Sequence, residues 1–523
     1  MKEDNSLEIR ESLKLIAKTS VIVFLSIVFS KIVGYIYRIL IARYYGPEIY
    51  GVFLISLMVA GWFGAFFSLG LLEGVVRFIS IFRGKKQFNK IKYLYNFSSL
   101  VLLTTGLLGG IVMFLTADTI AIKLFHNPEL TIFIKLLGLI MPISLISNLF
   151  LSILRAFEKI YWYSFIFNII QNLTKISLLV IFIILSVNSS AVILSHILAV
   201  IPTLILSYII CKKGIKFLFK NESKLRETKL MRKDLIYYSL PVMFHTILSS
   251  FFFWIDTFSI GLINGALEVG IYNAAVPIAT LLVFVPEIFM QLFFPMISKK
   301  LSQGKINNVE ELSKTVSKWI LILNLPIFSI MFFFPGIIIN TLFGSNYLAA
   351  ADSLRILSIG MFFSSFFIVS NNLLSAAGKS KTILFDIVLA GLLNLVLNQV
   401  LIPVYGIKGA AYSTTLSLIL LNLLFFYQSY KYTKVFQLRR KMLGIVLVAC
   451  ISAISLIIIR SFLLVNLYTL IFAGLVYGLV YMALIFLTRS LDSQDLFIIK
   501  TFSSSLFKKS NKIYQKISSN HRV

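Results

Sequence analysis

Apolar runs of about twenty residues recur along the whole chain, and they constrain its fold more than any other feature. A helix of that length crosses the hydrocarbon core of a bilayer, which is about 30 Å thick. Of the 523 residues, 58% are hydrophobic and 13% are charged, whereas soluble chains carry about 25% charged residues. The sequence therefore predicts an all-α polytopic membrane protein with about fourteen transmembrane helices.

Lysine and arginine are distributed unevenly between alternate connections of the predicted spans. One set of connections, which includes both chain ends, holds 40 of the 49 basic residues, and the other set holds 3. Because Lys and Arg accumulate on the cytoplasmic side of membrane proteins, we expect a multi-pass protein of the cytoplasmic (inner) membrane with both termini in the cytoplasm. The net charge of +28 then reflects topology and contact with anionic lipids. We expect no nucleic-acid partner.

Several short stretches recur about 220 residues later in the same order. For example, "GPEIYGVF" at 46–53 resembles "LEVGIYNAA" at 267–275, and "LRAFEK" at 154–159 resembles "LSAAGK" at 374–379. We expect two parallel, pseudo-symmetric six-helix lobes with a substrate site between them. The predicted divisions are an N-terminal lobe over 1–211, a cytoplasmic linker over 212–234, a C-terminal lobe over 235–430, two additional transmembrane helices over 431–488 and a basic cytoplasmic tail over 489–523.

The first predicted span, 18–43, carries cations within its apolar run. Lys31 and Arg38 are seven residues apart, so they share one face of a helix. A cation inside hydrocarbon costs about 3 kcal/mol or more. This cost favours a cavity-lining, substrate-binding role for both residues over ion pairs that only specify packing. Arg43 lies near the end of the span and is expected to reach the membrane surface.

Amide side chains and another cation mark the fifth predicted span and its counterpart in the second repeat. Asn168, Asn172 and Lys175 follow helical spacing in the fifth span. Asn394 and Asn398 lie one turn apart in the eleventh. These residues are candidates for binding the substrate, with Lys175 as a third cavity cation. Interhelical hydrogen bonding, which Asn does well in membranes, fits the amide pattern equally.

Acidic residues are few within the spans. Asp256 and Glu287 lie deep in the seventh and eighth spans, where each is a candidate either for an ion pair or for binding a coupling H⁺ or Na⁺. Asp386 lies near the inner end of its span and is expected at the membrane interface. Glu73 and Arg77 are four residues apart and are expected to form a surface ion pair.

No constellation of catalytic or metal-binding residues appears in the sequence. The four histidines are scattered and have no acidic residue or cysteine at metal-ligand spacing: His126, His196, His245 and His521. A phosphate-binding loop of the Walker type is also absent. We therefore expect no enzymatic activity, no catalytic residues, no metal and no cofactor.

Three stretches resemble the polysaccharide biosynthesis exporters, a branch of the multidrug/oligosaccharidyl-lipid/polysaccharide exporter superfamily. They are "SKIVGYIYRILIARYYGPEIYGVF" (30–53), "VGIYNAAVPIATL" (269–281) and "LNQVLIPVYGIKGAAYSTTLS" (397–417). The resemblance implies a Wzx-type flippase that moves a polyprenyl-(pyro)phosphate-linked oligosaccharide from the inner to the outer leaflet. It also implies membrane lipids and glycan polymerase or glycosyltransferase machinery as partners. In the similar pattern, Arg38 takes the place of a first-span arginine, and Lys31 replaces another.

Several other functions compete with this hypothesis. A lipid II or related peptidoglycan-precursor flippase would use cavity cations in the same way. A multidrug or cation antiporter of the same superfamily is disfavoured by the cations Lys31, Arg38 and Lys175. A membrane polymerase or ligase would need catalytic residues in an outer loop, and the outer loops are short. For a non-transporting scaffold, deep charges would have little reason to exist.

Overall fold

The structure is a computed structural model that describes residues 2–219, 228–462 and 466–488. Within these ranges the protein is helical and has no strand, which confirms the predicted all-α class. The predicted tail over 489–523 and part of the predicted linker lie outside the described residues. The α-helices are α1 (Lys2–Phe67), α2 (Leu71–Gly84), α3 (Phe88–Asp118), α4 (Glu129–Ala156), α5 (Ile160–Ser164), α6 (Gln171–Ile184), α7 (Ser190–Leu198), α8 (Val200–Gly214), α9 (Thr228–Ile263), α10 (Ala266–Ala279), α11 (Leu281–Ser302), α12 (Ile306–Phe333), α13 (Pro335–Phe343), α14 (Ala350–Ala376), α15 (Ser380–Tyr405), α16 (Ile407–Thr433), α17 (Arg440–Phe462) and α18 (Leu467–Leu487).

Thirteen helical stretches of the described chain are long and apolar enough to cross a membrane. The first, Leu25–Phe67, has 43 residues, about twice the length that a bilayer requires. Its backbone leaves the helical conformation at Gly46 (φ 80°, ψ 175°), so it consists of two helices of spanning length. Glycine tolerates this conformation, and Pro47 suits the first turn of the second helix. The prediction of about fourteen spans is thereby confirmed.

The contacts divide the chain into two compact units. The first unit comprises the chain up to Ile278 together with Leu342–Ser353 and Gly391–Thr414. The second comprises Ala279–Thr341, Leu354–Ala390 and the described chain from Thr415 onwards. The six-helix lobes inferred from the sequence repeat stay a prediction.

Small residues bring neighbouring helices of the first unit into close contact. In α3 and α4, a Cβ atom placed on Gly110 would lie 2.5 Å from the carbonyl oxygen of Gly138. Small residues are common where helix backbones approach each other in membranes. Beside this contact, a core of buried side chains from α2, α3, α4, α8 and α9 fills the unit, including Ile79, Leu102, Leu149, Leu154, Cys211 and Leu235.

A second close approach joins the part of α1 after its break to α10. A Cβ atom on Gly51 would lie 1.7 Å from the carbonyl oxygen of Ala266. Conversely, a Cβ atom on Gly270 would lie 1.8 Å from the carbonyl oxygen of Pro47. The contact is reciprocal. Pro47 and Gly51 are four residues apart on α1, and they meet Gly270 and Ala266, which are four residues apart on α10. Only glycine fits at both crossing points.

The second unit has its own apolar core, formed chiefly by α12, α17 and α18. Tyr477 and Tyr481 of α18 are buried there. The Tyr477 hydroxyl lies 3.1 Å from Ser329 Oγ, and the Tyr481 hydroxyl donates to the carbonyl oxygen of Ile322 at 3.2 Å. Each phenol is thus both packed and hydrogen-bonded, as a buried tyrosine in an apolar environment requires.

The predicted ion pair between Glu73 and Arg77 is wrong. Glu73 Oε1 accepts instead from Arg155 Nη1 of α4 at 2.9 Å. The Arg77 guanidinium lies 4.2 Å from the centre of the Tyr238 ring. Packing of α2 against α4 and α9 gives both side chains better-placed partners than each other.

Candidate functional site

The two cations on the predicted face of α1 differ in their exposure. Lys31 is exposed, whereas Arg38 is half-buried and hydrogen-bonds the hydroxyl of Tyr50. Arg43 is exposed, and its Nε donates to the carbonyl oxygen of Leu342 at 2.9 Å. Tyr35 lies between the first two cations and donates to the carbonyl oxygen of Pro277 at 2.9 Å. Of the two cations on the predicted face, Arg38 is thus the half-buried one and Lys31 the exposed one.

The predicted amides of the fifth span face α1. Asn168 Nδ2 donates to Ser26 Oγ at 3.1 Å, and Asn172 Nδ2 donates to Ser30 Oγ at 2.9 Å. The helix widens to a π-helical turn at Phe165–Ile170, immediately before α6. These bonds are interhelical, as the packing alternative for the two amides expects, and substrate binding by them stays a prediction. They also align α6 beside α1, one helical turn after another.

Three basic groups come together where α1, α6 and α7 meet. The positive charge of Arg38 acts on Lys175, and that of Lys175 acts on His196. Lys175 and His196 are half-buried. The His196 ring also contacts Phe53, with 5.6 Å between ring centres. The structure thus brings together two of the three predicted cavity cations and adds a histidine.

A cavity of about 280 Å³ opens beside His196 in the first unit. The Nδ1 atom of His196 is buried and has no hydrogen-bond partner among the described residues. Ser144 and Asn148 add polar groups to the lining, and Gly61 and Gly64 leave it without side chains on one side. The remaining lining residues are apolar: Leu57, Ala60, Met113, Leu137, Ile140, Met141, Leu145 and Val200.

Asp256 lies at the centre of a second polar network in the same unit. Its Oδ2 accepts from the Tyr272 hydroxyl at 2.7 Å and from the Thr414 hydroxyl at 2.5 Å. Its Oδ1 accepts from Asn398 Nδ2 at 3.0 Å. Asn398 also donates to Asn394 Oδ1 at 2.8 Å. The predicted amides of the eleventh span therefore meet the predicted acid of the seventh.

The two networks approach each other through α10. Tyr50, which binds Arg38, donates a long 3.4 Å bond to the carbonyl oxygen of Asn273. The neighbouring Tyr272 binds Asp256. Tyr50 and Tyr272 are also the residues that the sequence repeat matched.

Glu287, the other predicted ion-coupling residue, belongs to the second unit. It is exposed and lines a cavity of about 420 Å³ with Met290, Gln291, Phe294, Pro295 and Ile368. The network of Asp256 is formed by residues of the first unit, so the two acids belong to different units.

Sequence reasoning missed His196, Thr414 and Asp386 as candidates. The histidine follows no motif, and the threonine lies in the family-like stretch at 397–417, which does not indicate a partner for it, so only the folded arrangement shows their neighbours. Asp386 was expected at the membrane interface because it lies near the inner end of its predicted span. The structure buries it completely, at 0% exposure.

Comparison with protein families matches residues 16–301 to the polysaccharide biosynthesis protein family and residues 241–400 to the MatE family. A putative O-antigen transporter from Shigella flexneri is 25% identical over 396 residues, which cover 73% of this chain and 89% of that protein. An uncharacterized membrane protein from Methanocaldococcus jannaschii is 26% identical over 500 residues, which cover 91% of this chain and 96% of that protein.

Solved structures share the fold at low sequence identity. The inward closed conformation of the lipid II flippase MurJ has a TM-score of 0.70 and 19% identity, covering 90% of this chain and 99% of that one. An inward-facing multidrug resistance MATE family transporter has a TM-score of 0.66 and 14% identity, covering 77% of this chain and 94% of that one. Since the first family match spans more than half of the sequence, the chain belongs to the polysaccharide biosynthesis protein family of the multidrug/oligosaccharidyl-lipid/polysaccharide exporter superfamily, and it is a multi-pass membrane transporter of the flippase type.

Proposed function

We propose that this transporter moves an oligosaccharide linked to polyprenyl phosphate or pyrophosphate from the inner to the outer leaflet by alternating access. The observation that carries the proposal is that two cations, Arg38 and Lys175, interact electrostatically although they lie on two apolar helices of one unit. Two like charges held near each other in a membrane repel, and each costs free energy to place there. An anionic group bound between them offsets both costs.

A phosphate or pyrophosphate headgroup fits the chemistry of this site. Arg presents a planar fork of donors that binds phosphate oxygens in pairs, and Lys adds a point charge. His196, Asn148 and Ser144 in the adjoining cavity supply hydrogen-bonding groups suited to sugar hydroxyls. Lys31 is exposed on the same face of α1, seven residues before Arg38, where it is suited to attract an anion before the anion binds.

The relatives support glycan transport and also define the main alternatives. The Shigella protein is described as a putative O-antigen transporter, and the proposed substrate here is of that lipid-linked glycan class. A lipid II type of substrate shares the pyrophosphate and is the first alternative. A cationic drug, as for a multidrug antiporter, is disfavoured because it would meet the charges of Arg38 and Lys175.

The duplicated organisation into two six-helix lobes is part of this proposal. The reciprocal contact of Gly51 and Gly270 supports it, because a twofold axis places the same pair of residues on both sides of the contact. The stretches in contact include those that the sequence repeat matched, at 46–53 and 267–275.

Transport assays of the purified protein test the proposed substrate. Proteoliposomes that contain a polyprenyl-pyrophosphate-linked oligosaccharide should expose it to an impermeant glycosidase faster than protein-free liposomes do. We expect slower movement of lipid II and no accumulation of a cationic dye under the same conditions. Faster movement of lipid II would favour the first alternative, and dye accumulation without glycan movement would refute the proposal.

Asp256 is the residue that we assign to ion coupling. Its carboxylate accepts three hydrogen bonds from neutral groups, and carboxylate, amide and hydroxyl oxygens are suited to binding a small hard cation or exchanging a proton. Through Tyr272 and Asn273 it neighbours Tyr50, the hydrogen-bond partner of Arg38. Binding of an ion at Asp256 can therefore change the affinity of the Arg38 site for its anion.

Asp256→Asn should lower ion-driven transport about tenfold, in the usual range of coupling energies, while lipid binding persists. The amide keeps the size of the carboxylate and loses its charge. Transport is measured with an imposed Na⁺ or H⁺ gradient, and binding is measured by thermal shift with the lipid-linked substrate. Asp352→Asn is the matched control, because Asp352 is half-exposed and pairs with Lys408 at 2.6 Å. Equal ion dependence in the Asp256→Asn variant and the native protein would contradict the assignment.

A further inference from the structure

Asp386 is a buried acid in the second unit that the proposed transport mechanism does not use. It lies in α15 and has 0% exposure. Gln428 of α16 donates from its Nε2 to Asp386 Oδ1 at 2.9 Å. A buried ionised carboxylate needs several hydrogen bonds or a cation to offset the loss of water. This single amide bond provides much less than that.

Two buried oxygen atoms of this pair have no hydrogen-bond partner within the described chain. They are Asp386 Oδ2 and Gln428 Oε1. Both are acceptors when the acid is ionised, so neither can serve the other. A buried acceptor left without a donor costs about 1–3 kcal/mol. The pair therefore lacks one hydrogen-bond donor.

Nearby charges do not supply the missing compensation. Burial and the bond from Gln428 are the influences that act on the carboxyl group, and no charged side chain of the described part is among them. Lys379 lies over the Tyr432 ring at 4.4 Å. The remaining basic side chains at these ends of α15 and α16 are exposed: Lys381, Lys431 and Lys434.

We propose that Asp386 is a proton-binding site whose protonated form is the one packed in this structure. A proton taken from water converts Oδ2 from an acceptor into a donor, and no other bond is broken. A carboxylic acid and a primary amide can then form two hydrogen bonds, from Nε2 to Oδ1 and from Oδ2 to Oε1. One proton thereby removes the charge and satisfies both orphaned oxygens.

The site gives the transporter a second titratable position, beyond the ion-coupling role proposed for Asp256. Asp386 lies eight residues before Asn394 in α15, and Asn394 belongs to the network of Asp256. Release of the proton places a negative charge on the same helix that carries part of that network. Uptake and release of H⁺ at Asp386 therefore change the charge of α15, the helix that also carries Asn394.

Infrared spectroscopy of the full-length protein in liposomes tests the proposal directly. Native protein at neutral pH should show a protonated-carboxyl C=O band that Asp386→Asn removes completely. Gln428→Leu should shift this band, because the acid loses its acceptor, and Asp352→Asn should leave it unchanged. A spectrum that Asp386→Asn does not alter in this region would overturn the proposal. A carboxylate band of Asp386 that responds to Na⁺ instead of pH would identify a metal-cation site and overturn it equally.

Thermal unfolding provides a second readout that does not depend on transport. Raising the pH should destabilise the native protein, since loss of the proton breaks the proposed second bond to Gln428 and leaves a buried charge. The Asp386→Asn variant carries a neutral group of the same size at all pH values. It should therefore fold at neutral pH and lose this part of the pH dependence. An unchanged pH dependence in the variant would contradict the assignment.

Discussion

Replacement of Gly51 by alanine is expected to lower the stability of the folded protein strongly. The added methyl carbon would lie 1.7 Å from the carbonyl oxygen of Ala266, so α1 and α10 would have to separate. Forcing extra volume into a packed contact costs about 3 kcal/mol, which is a large part of the stability of most proteins. Size-exclusion chromatography and thermal unfolding of the purified variant measure the loss.

The reciprocal geometry sharpens this experiment. Gly270→Ala should be equally damaging, because its methyl carbon would lie 1.8 Å from the carbonyl oxygen of Pro47. The double variant should lose less than the two single losses combined, since either methyl group already separates the helices. Gly34→Ala is the control on the same helix: its Cβ would meet nothing within 4 Å, and alanine favours a helix over glycine by about 1 kcal/mol. Native stability of both Gly51→Ala and Gly270→Ala would refute the close contact.

Removal of the Arg38 guanidinium should reduce transport of a pyrophosphate-linked glycan about tenfold to a hundredfold. Hydrogen bonds to charged groups contribute about 1.5–3 kcal/mol each, and Arg38→Ala removes them together with the charge. Lys175→Ala should lower transport to a similar degree. The measurement is the initial rate of substrate exposure in proteoliposomes, with each variant reconstituted in equal amount.

Two controls separate anion binding from packing in this experiment. Arg38→Lys keeps the charge but loses the planar fork of donors, so its transport should lie between that of the native protein and that of Arg38→Ala. Arg43→Ala removes an exposed cation of the same helix that lies outside the pair, and its transport should stay close to native. Equal loss in Arg38→Lys and Arg38→Ala would indicate a geometric role instead. Native rates in Arg38→Ala and Lys175→Ala would refute the proposed anion site.

The membrane-spanning architecture could be predicted from the sequence because hydrophobic length alone determines it. The first predicted span, 18–43, ends just before the break that the structure has at Gly46. The seven-residue spacing of Lys31 and Arg38 placed both cations on one face of α1. It did not show that Arg38 is half-buried and Lys31 exposed.

The partners of the polar side chains could not be predicted in the same way. Asp256 and Asn398 are 142 positions apart and meet only because α9 and α15 pack together. Hydropathy reports which residues enter the membrane, but it carries no information about which helices become neighbours. Asp386 shows the same limit: its place near the inner end of the span suggested the membrane interface, and only the structure shows that Gln428 of α16 hydrogen-bonds it.

The break at Gly46 also determines the parity of the chain. If the 43 residues of Leu25–Phe67 crossed the bilayer once, the candidate spans of the described residues would number thirteen, an odd count, and the start of the first span and the end of the last would face opposite compartments. Two crossings would make the count even and return the chain to the side from which it started. We therefore expect impermeant labels placed before Leu25 and after Leu487 to react from the same side of the membrane, as a break at Gly46 requires.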